Sequence, residues 1–456
     1  MTKHISVIMC ILMSLGAYAQ GIKGRVLDEA GVALPYTTIY AVDIQKGTAS
    51  NADGYYQLDL PEGTHQIVYQ FLGYKTIQIT ISVGATLVKL DMVLTKEPTQ
   101  LQTIEVHADQ EDPAYTIMRK AIAKAKYHTQ QLDEYTATSY IKGSGRLKKL
   151  PWLFRKQLEK EMRESGVDTA TAFVTESVNE INYQRPNQFS EKVISVRKVG
   201  NDNNTSPNGF INSSFYAPEV NGAISPLSPR AFTHYKFKYL GFKAEQGHNI
   251  NKILVVPRRP GDQVFDGIIY IVDDLWCLQS VDLTTYIWGI RFDIDQIYQP
   301  IEPTVWLPVN QTFDVAGSIF GFAFEYKYFA HIKDYDITLN SDLTFRPQVL
   351  DEKLARNEAK IADIQISEKS SLEETFSALE EGEEISRRKL RKVLKEYEEQ
   401  QLEEFQTDSL VDVVSVYAQE VDSMAYERDS SYWTEIRPIP LTTYEVKGYK
   451  VMDSIS

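Results

Sequence analysis

The sequence predicts a mainly β protein with some α: an N-terminal β-sandwich, a central curved antiparallel sheet with helices, and a charged helical C-terminal segment. Three observations carry this. Short bulky segments separated by turn signals recur about every ten residues between 21 and 95. Longer alternating stretches fill most of residues 135 to 337. From Phe345 the composition turns to Glu, Lys, Arg and Leu. At 456 residues the chain is too long for one ordinary core, so several domains are expected.

The opening MTKHISVIMCILMSLGAYAQ has a short basic start, an apolar run from Ile5 to Leu15, and a small-x-small site at Ala17-Tyr18-Ala19. That is the pattern of a secretory signal peptide, here residues 1–19, and it predicts export. Cys10 lies inside the apolar run, so removal of the peptide leaves Cys277 alone and no intrachain disulfide. The formal charge is −14. An acidic chain lacks the basic face that phosphate backbones require, which argues against nucleic acid.

Residues 20–95 read as the sandwich. Its expected strands are Ile22–Leu27, Tyr36–Val42, Tyr55–Leu60, His65–Phe71, Lys75–Ile81 and Val88–Leu94. Asn51-Ala52-Asp53-Gly54 and Pro61-Glu62-Gly63 supply the turns between them. Residues 96–111 read as a linker. Asp112 is an expected N-cap and Pro113 a favoured first helical residue. Ile117, Met118, Ala121, Ile122 and Ala125 then repeat at helical spacing.

Residues 112–345 form the β-rich domain, with strand candidates from Tyr135–Ile141 to Phe320–His331 and a further helix at Trp152–Arg163. Residues 346–456 read as a helical, acidic tail, with helices over 370–379 and Ile385–Phe405 and a loosely patterned end.

Two resemblances follow from quoted segments. GRVLDEAGVALPYTTIY, GTASNADGYYQLDLPEGTHQI and FLGYKT resemble the carboxypeptidase regulatory-like domain, with Ser50 where Thr is usual. This resemblance implies a prealbumin-like sandwich and brings no catalytic residues. DPAYTIMRKAI, VTESVNEI, SPLSPRAF, KILVVPRR, FDGIIYIVDDLWCLQSVDL and SYWTEIRPIPLT resemble Bacteroidota outer-membrane proteins. Those proteins join such a sandwich to a large domain of unknown function. In that group an outer-membrane β-barrel usually follows RPIPLT. The resemblance therefore implies a barrel that is truncated here or encoded elsewhere.

Reactive constellations are not found. No His has Glu three places on, and no His pair has helical spacing, so a zinc peptidase is not indicated. His331-Ile-Lys-Asp334 is the nearest metal-like spacing and is weighed against an ordinary surface histidine at a strand end. Gly143-Ser144-Gly145 reads as a flexible turn rather than a nucleophile elbow. Asp202-Asn203-Asn204 opens like a calcium loop but lacks its later ligands. Asp293 and Asp295 share one strand face, as do Asp282 and Ser280, which reads first as a polar outward face. Cys277 reads as a small core residue. No catalytic, cofactor or metal residues are assigned.

The most informative stretch is Phe320-Gly-Phe322-Ala-Phe324-Glu-Tyr326-Lys-Tyr328, whose alternation puts five aromatics on one face. One reading is a β-core covered by the Asp112 helix. The sharper one is an apolar groove holding an acyl chain, by analogy with periplasmic lipoprotein carriers. The expected function is non-enzymatic: a cell-envelope binding or scaffold protein at the periplasmic side of the outer membrane. The alternative is a carrier of an acyl chain or other apolar ligand. The expected partners are an outer-membrane or envelope protein and a lipid or apolar ligand, with no cofactor.

Overall fold

The computed structural model describes residues 20–97, 111–150, 155, 156, 160, 173–185, 188–198, 214–319, 321–343, 416–442, 445, 446 and 449. The helices expected at 370–379 and Ile385–Phe405, the signal peptide, the linker residues 98–110, the Asp202 loop and Phe320 lie outside the described residues. The chain forms two compact units: residues 1–97 with 436–443, and residues 98–435 with 444–456.

The first unit is a sandwich of eight strands: β1 (Gly21–Asp28), β2 (Thr38–Ala41), β3 (Lys46–Ala49), β4 (Tyr55–Asp59), β5 (Gly63–Gln70), β6 (Ile77–Val83), β7 (Leu87–Lys89) and β8 (Met92–Leu94). One sheet runs β4-β1-β7 with β8 also on β1, and the other runs β3-β2-β5-β6. Two details differ from expectation. KGTA forms a strand, β3, that its small residues did not signal. The expected Val88–Leu94 strand breaks into β7 and β8, both parallel to β1, which they meet at different registers.

Alternation places Ile22, Val26, Ile39, Tyr56, Leu58, Ile67 and Tyr69 inside, all almost wholly buried. Burying a tyrosine requires a partner for its hydroxyl. Tyr56 and Tyr69 meet hydroxyl to hydroxyl at 2.6 Å, and Tyr56 also donates to the Leu90 carbonyl. At the central turn Asn51 Oδ1 accepts from the backbone N–H of Asp53 and of Tyr55, while Gly54 takes φ 83°. Ser50 Oγ donates to the Leu34 carbonyl and accepts from the Thr37 N–H. This is why a hydroxyl residue suits that position.

The second unit begins with α1 (Pro113–Gln130), capped by Asp112 Oδ1 on the Ala114 N–H. The same oxygen accepts from the Tyr239 N–H, tying the helix start to the sheet. Then come β9 (Leu132–Lys149), β10 (Phe173–Gln184), β11 (Gln188–Lys198), the short pair β12 (Glu219–Val220) and β13 (Ala223–Ile224), and α2 (Ala231–His234). They are followed by β14 (Tyr235–Glu245), β15 (His248–Pro257), β16 (Phe265–Val272), β17 (Leu278–Ile287), β18 (Ile290–Glu302), β19 (Val305–Ile319), β20 (Phe322–Leu339), β21 (Val416–Val421) and α3 (Ser430–Ile436).

Eleven strands make one sheet, ordered β14-β15-β16-β17-β18-β19-β20-β9-β10-β11-β21. Pairing is antiparallel until the last step, where β21 lies parallel to β11. This corrects the loosely patterned C-terminal end: Val416-Tyr-Ala-Gln-Glu-Val421 gains its strand state from pairing with β11, a non-local contact that local sequence cannot signal. Among the described residues no helix is long and apolar enough to cross a membrane, which says nothing of strands.

Candidate functional site

Register, more than composition, builds the surface around β20. On β19, Phe324 pairs with Gly317 and Tyr326 with Val315. On β9, Tyr326 pairs with Gly145 and Tyr328 with Gly143. A side chain opposite glycine has nothing to stand against and can lie over the bare backbone. A Cβ placed on Gly145 would stand 2.2 Å from the Tyr326 ring, one on Gly143 would stand 2.8 Å from the Tyr328 ring, and one on Gly317 would stand 3.1 Å from Phe324.

The rings run along the strand in sequence. Phe324 and Tyr326 have centroids 5.7 Å apart, and Tyr326 and Tyr328 are stacked at 6.2 Å with 16° between planes. Tyr328 is buried beside Phe313, while Phe322, Phe324 and Tyr326 are only half-buried. Four of the five expected aromatics thus share one face, and Phe320 lies outside the described residues.

One expectation needs correction. Gly143-Ser144-Gly145 is not a turn; it sits inside the 18-residue strand β9 and forms the floor beneath the tyrosines. Glycine was read for its flexibility, whereas here its missing side chain is what the neighbouring strand uses. The Asp112 helix packs on the face that runs by register from Phe237 through Val255, Leu283, Ile294 and Phe313 to Tyr328. Its main strand contact is β14, six places from β20 in the sheet, with Tyr115 stacked on Phe232 and edge-on to Phe237.

The opposite face carries charge. Asp282 pairs directly with Asp295, and Asp293 with Asp314. Burial pushes the Asp295 carboxyl up to about 8, with Asp282 and Asp314 adding to the rise and Lys327 opposing it. Burial, then Asp293, raises Asp282 as well. Asp295 is half-buried and Asp282 exposed, so water still reaches both. Asp293 accepts from Thr284 Oγ1 at 2.6 Å and Arg291 Nε at 2.9 Å, and Lys327 reaches Asp314 at 3.0 Å. Among the described residues no three His, Cys, Asp or Glu side chains are placed to share a metal ion.

Further along that face lies a buried charged cluster that no local motif signals. Lys142 Nζ is 2.7 Å from Glu445 Oε1, with both side chains almost fully buried. Glu176, the cross-strand partner of Lys142, accepts from Tyr140 and from Tyr449 Oη at 2.6 Å. Arg197 lies over the Tyr449 ring at 4.1 Å. Residues 445 and 449 have the four-residue spacing that puts both on one helical face. Residues remote in sequence therefore satisfy each other's charge here.

His331 is also corrected. It is buried mid-strand rather than at a surface strand end, with Nδ1 2.7 Å from Asn310 Oδ1, while Asp334 is exposed at φ 55°. Cys277 is buried, and burial pushes its thiol well above its ordinary value. An open concavity of about 390 Å³ lies at the far end of the same strands, between Glu134, Tyr135, Asn182, Tyr183, Phe189 and Asp336. It does not coincide with the aromatic strip.

Residues 117–335 match a family of unknown function, DUF5686. Residues 22–106 match the CarboxypepD_reg-like domain. No curated protein matches the chain. Among solved structures, a DUF1329 family protein from Desulfovibrio piger is 9% identical, with 51% of this chain and 96% of that one covered and a TM-score of 0.23. A domain named for outer membrane lipoprotein sorting, from Vibrio parahaemolyticus, is 11% identical over 54% and 98% of the two chains, TM-score 0.22. A LolA superfamily protein from Nitrosomonas europaea is 8% identical over 49% and 95%, TM-score 0.21.

Proposed function

We propose that this chain is a non-enzymatic, exported binding protein of the cell envelope, working at the periplasmic side of the outer membrane. Its ligand, an acyl chain or a comparably slender apolar group, lies along the β20 strip. One observation carries the reading. Phe322, Phe324 and Tyr326 continue the face that is core at Tyr328 and Phe313, yet remain half-buried. Rings lying over glycine form a smooth apolar platform, and covering it with an apolar ligand gains about 25 cal/mol for each Å² removed from water. Catalysis is not assigned, because Cys277 is buried with a suppressed thiolate and the carboxylates lie on the other face.

The test is mass spectrometry of organic extracts from gently purified protein, with displacement of a dansyl-labelled fatty acid. Acyl species in the extract and saturable displacement are expected. Phe324→Glu should weaken binding at least tenfold while far-UV circular dichroism stays unchanged. Extracts without acyl species, together with no dye binding, would sink the reading. An envelope protein partner is a second reading, favoured by the strand Ile77–Val83, which ends its sheet with no further strand beside it among the described residues.

A further inference from the structure

The sandwich has one edge that is protected differently from the rest. β3 lies against segment 436–443, where Thr48 Oγ1 donates to the Pro438 carbonyl and Ile439 is wholly buried. β7 and β8 have three residues each. β4 ends in Asp59 and carries Tyr55 under the Arg25 guanidinium. β6 has none of these features. It is Ile77-Gln-Ile-Thr-Ile-Ser-Val83, seven residues without a charge, a proline or a bulge, and it ends the β3-β2-β5-β6 sheet. Soluble proteins ordinarily blunt such an edge, since it offers a ready template for another strand.

The backbone of β6 points the right way for pairing. Gln66, which lies opposite Thr80, gives its carbonyl to the Val42 N–H and its N–H to Asp43 Oδ1. Both groups therefore turn away from β6, so the Gln66–Thr80 pair is not hydrogen-bonded, and the Thr80 N–H and C=O face outward. By the two-residue repeat, the backbone groups of Gln78 and Ser82 face outward too. Among the described residues no strand pairs with this edge. Ile77, Ile79 and Ile81 pack against the sandwich core on their inner side and remain half-buried, unlike Ile67 and Tyr69 next door.

We propose that β6 pairs antiparallel with β6 of a second copy of this chain, about a two-fold axis at Thr80. The argument for a copy, over any other strand, is self-complementarity. With Thr80 opposite Thr80, Gln78 meets Ser82 and Ile79 meets Ile81. Every polar residue then faces a polar one and every apolar residue an apolar one. No charge opposes a like charge, although the full sequence carries a net −14. The outward groups of Gln78, Thr80 and Ser82 form a ladder of about six hydrogen bonds between the copies. The isoleucines become the centre of a continuous sheet. Pairing by one strand buries little surface, so the dimer belongs to the weak class.

The test is sedimentation of the full chain from about 1 to about 100 μM, a span suited to such an interface. A reversible shift from the mass of one chain to that of two is expected. Thr80→Pro removes only an outward N–H, which an edge strand tolerates. Thr80→Lys puts two ammonium groups face to face at the axis. Each variant should weaken dimerisation at least tenfold while keeping the wild-type far-UV spectrum; should the proline variant misfold, the lysine variant alone decides. A wild-type chain that stays monomeric throughout, or a lysine variant that dimerises like wild type, would overturn the proposal.

Discussion

Replacing Gly145 with alanine tests the ring-over-glycine packing most directly. The new Cβ would stand 2.2 Å from Cδ1 and Cε1 of Tyr326. Carbon atoms in contact sit at about 3.5–4.0 Å, so the ring must lift by roughly 1.5 Å. A gap of about 1 Å already forfeits up to about half of a dispersion contact, and the stacked Tyr328 resists the movement. Overpacking of this kind costs about 1–3 kcal/mol. At about 2.1 cal/mol/K of unfolding entropy per residue, a unit of more than about 300 residues loses about 1–2 °C of unfolding midpoint for each kcal/mol. Calorimetry, with chemical denaturation followed by circular dichroism, would read the loss. Gly261→Ala is the control, because a Cβ there meets nothing within 4 Å. It should stay within about 0.5 kcal/mol of wild type. In a Tyr326→Ala background the Gly145→Ala penalty should vanish, since the clashing ring is gone. A Gly145→Ala chain as stable as wild type, or one with the same penalty in both backgrounds, would refute the reasoning.

Three other outcomes are expected. Glu445→Gln removes the carboxylate in contact with the buried Lys142 ammonium, leaving Glu176 across the strand pair, and should cost about 3–5 kcal/mol in urea unfolding, whereas a loss under 1 kcal/mol would show the contact to be dispensable. Asp295 has its folded pKa raised to about 8, above the ordinary value near 3.9, so its contribution to stability is full below about pH 4 and is lost as pH rises through about 8. The difference in urea midpoint between wild type and Asp295→Asn should therefore shift toward the variant between pH 5 and pH 8.5, and a flat difference would contradict this. Cys277, buried with its thiol pushed up, should resist iodoacetamide in the native state and react only on unfolding, as read by intact-mass spectrometry.

Much of the fold is legible in local pattern because a strand with one buried face must alternate. Tyr56, Leu58 and Leu60 announce the inner face of the sandwich, and Ile253, Val255, Ile269, Val281 and Leu283 do so in the large sheet. The cap at Asp112 is equally local, since side chain and accepted N–H lie two residues apart. The β20 aromatics are legible as one face for the same reason. Their glycine floor is not: Gly143 and Gly145 precede Tyr326 by more than 180 residues, and only the β9–β20 register brings them together. The Gly-x-Gly spacing within a strand-like stretch was the available signal, and it reads more readily as a turn.

By itself, the sequence determined the β character, the two-unit order of sandwich then large sheet, and the face on which each alternating side chain stands. These follow from backbone geometry repeated every two residues, which needs no knowledge of neighbours. Tertiary structure alone decided which strands are neighbours. It placed β21 beside β11, Glu445 against Lys142, Asp295 opposite Asp282, and tyrosine rings over bare glycine. Those choices depend on closing loops between residues far apart along the chain. Their free energy lies in register and burial, which appear only once the partner strand is in place.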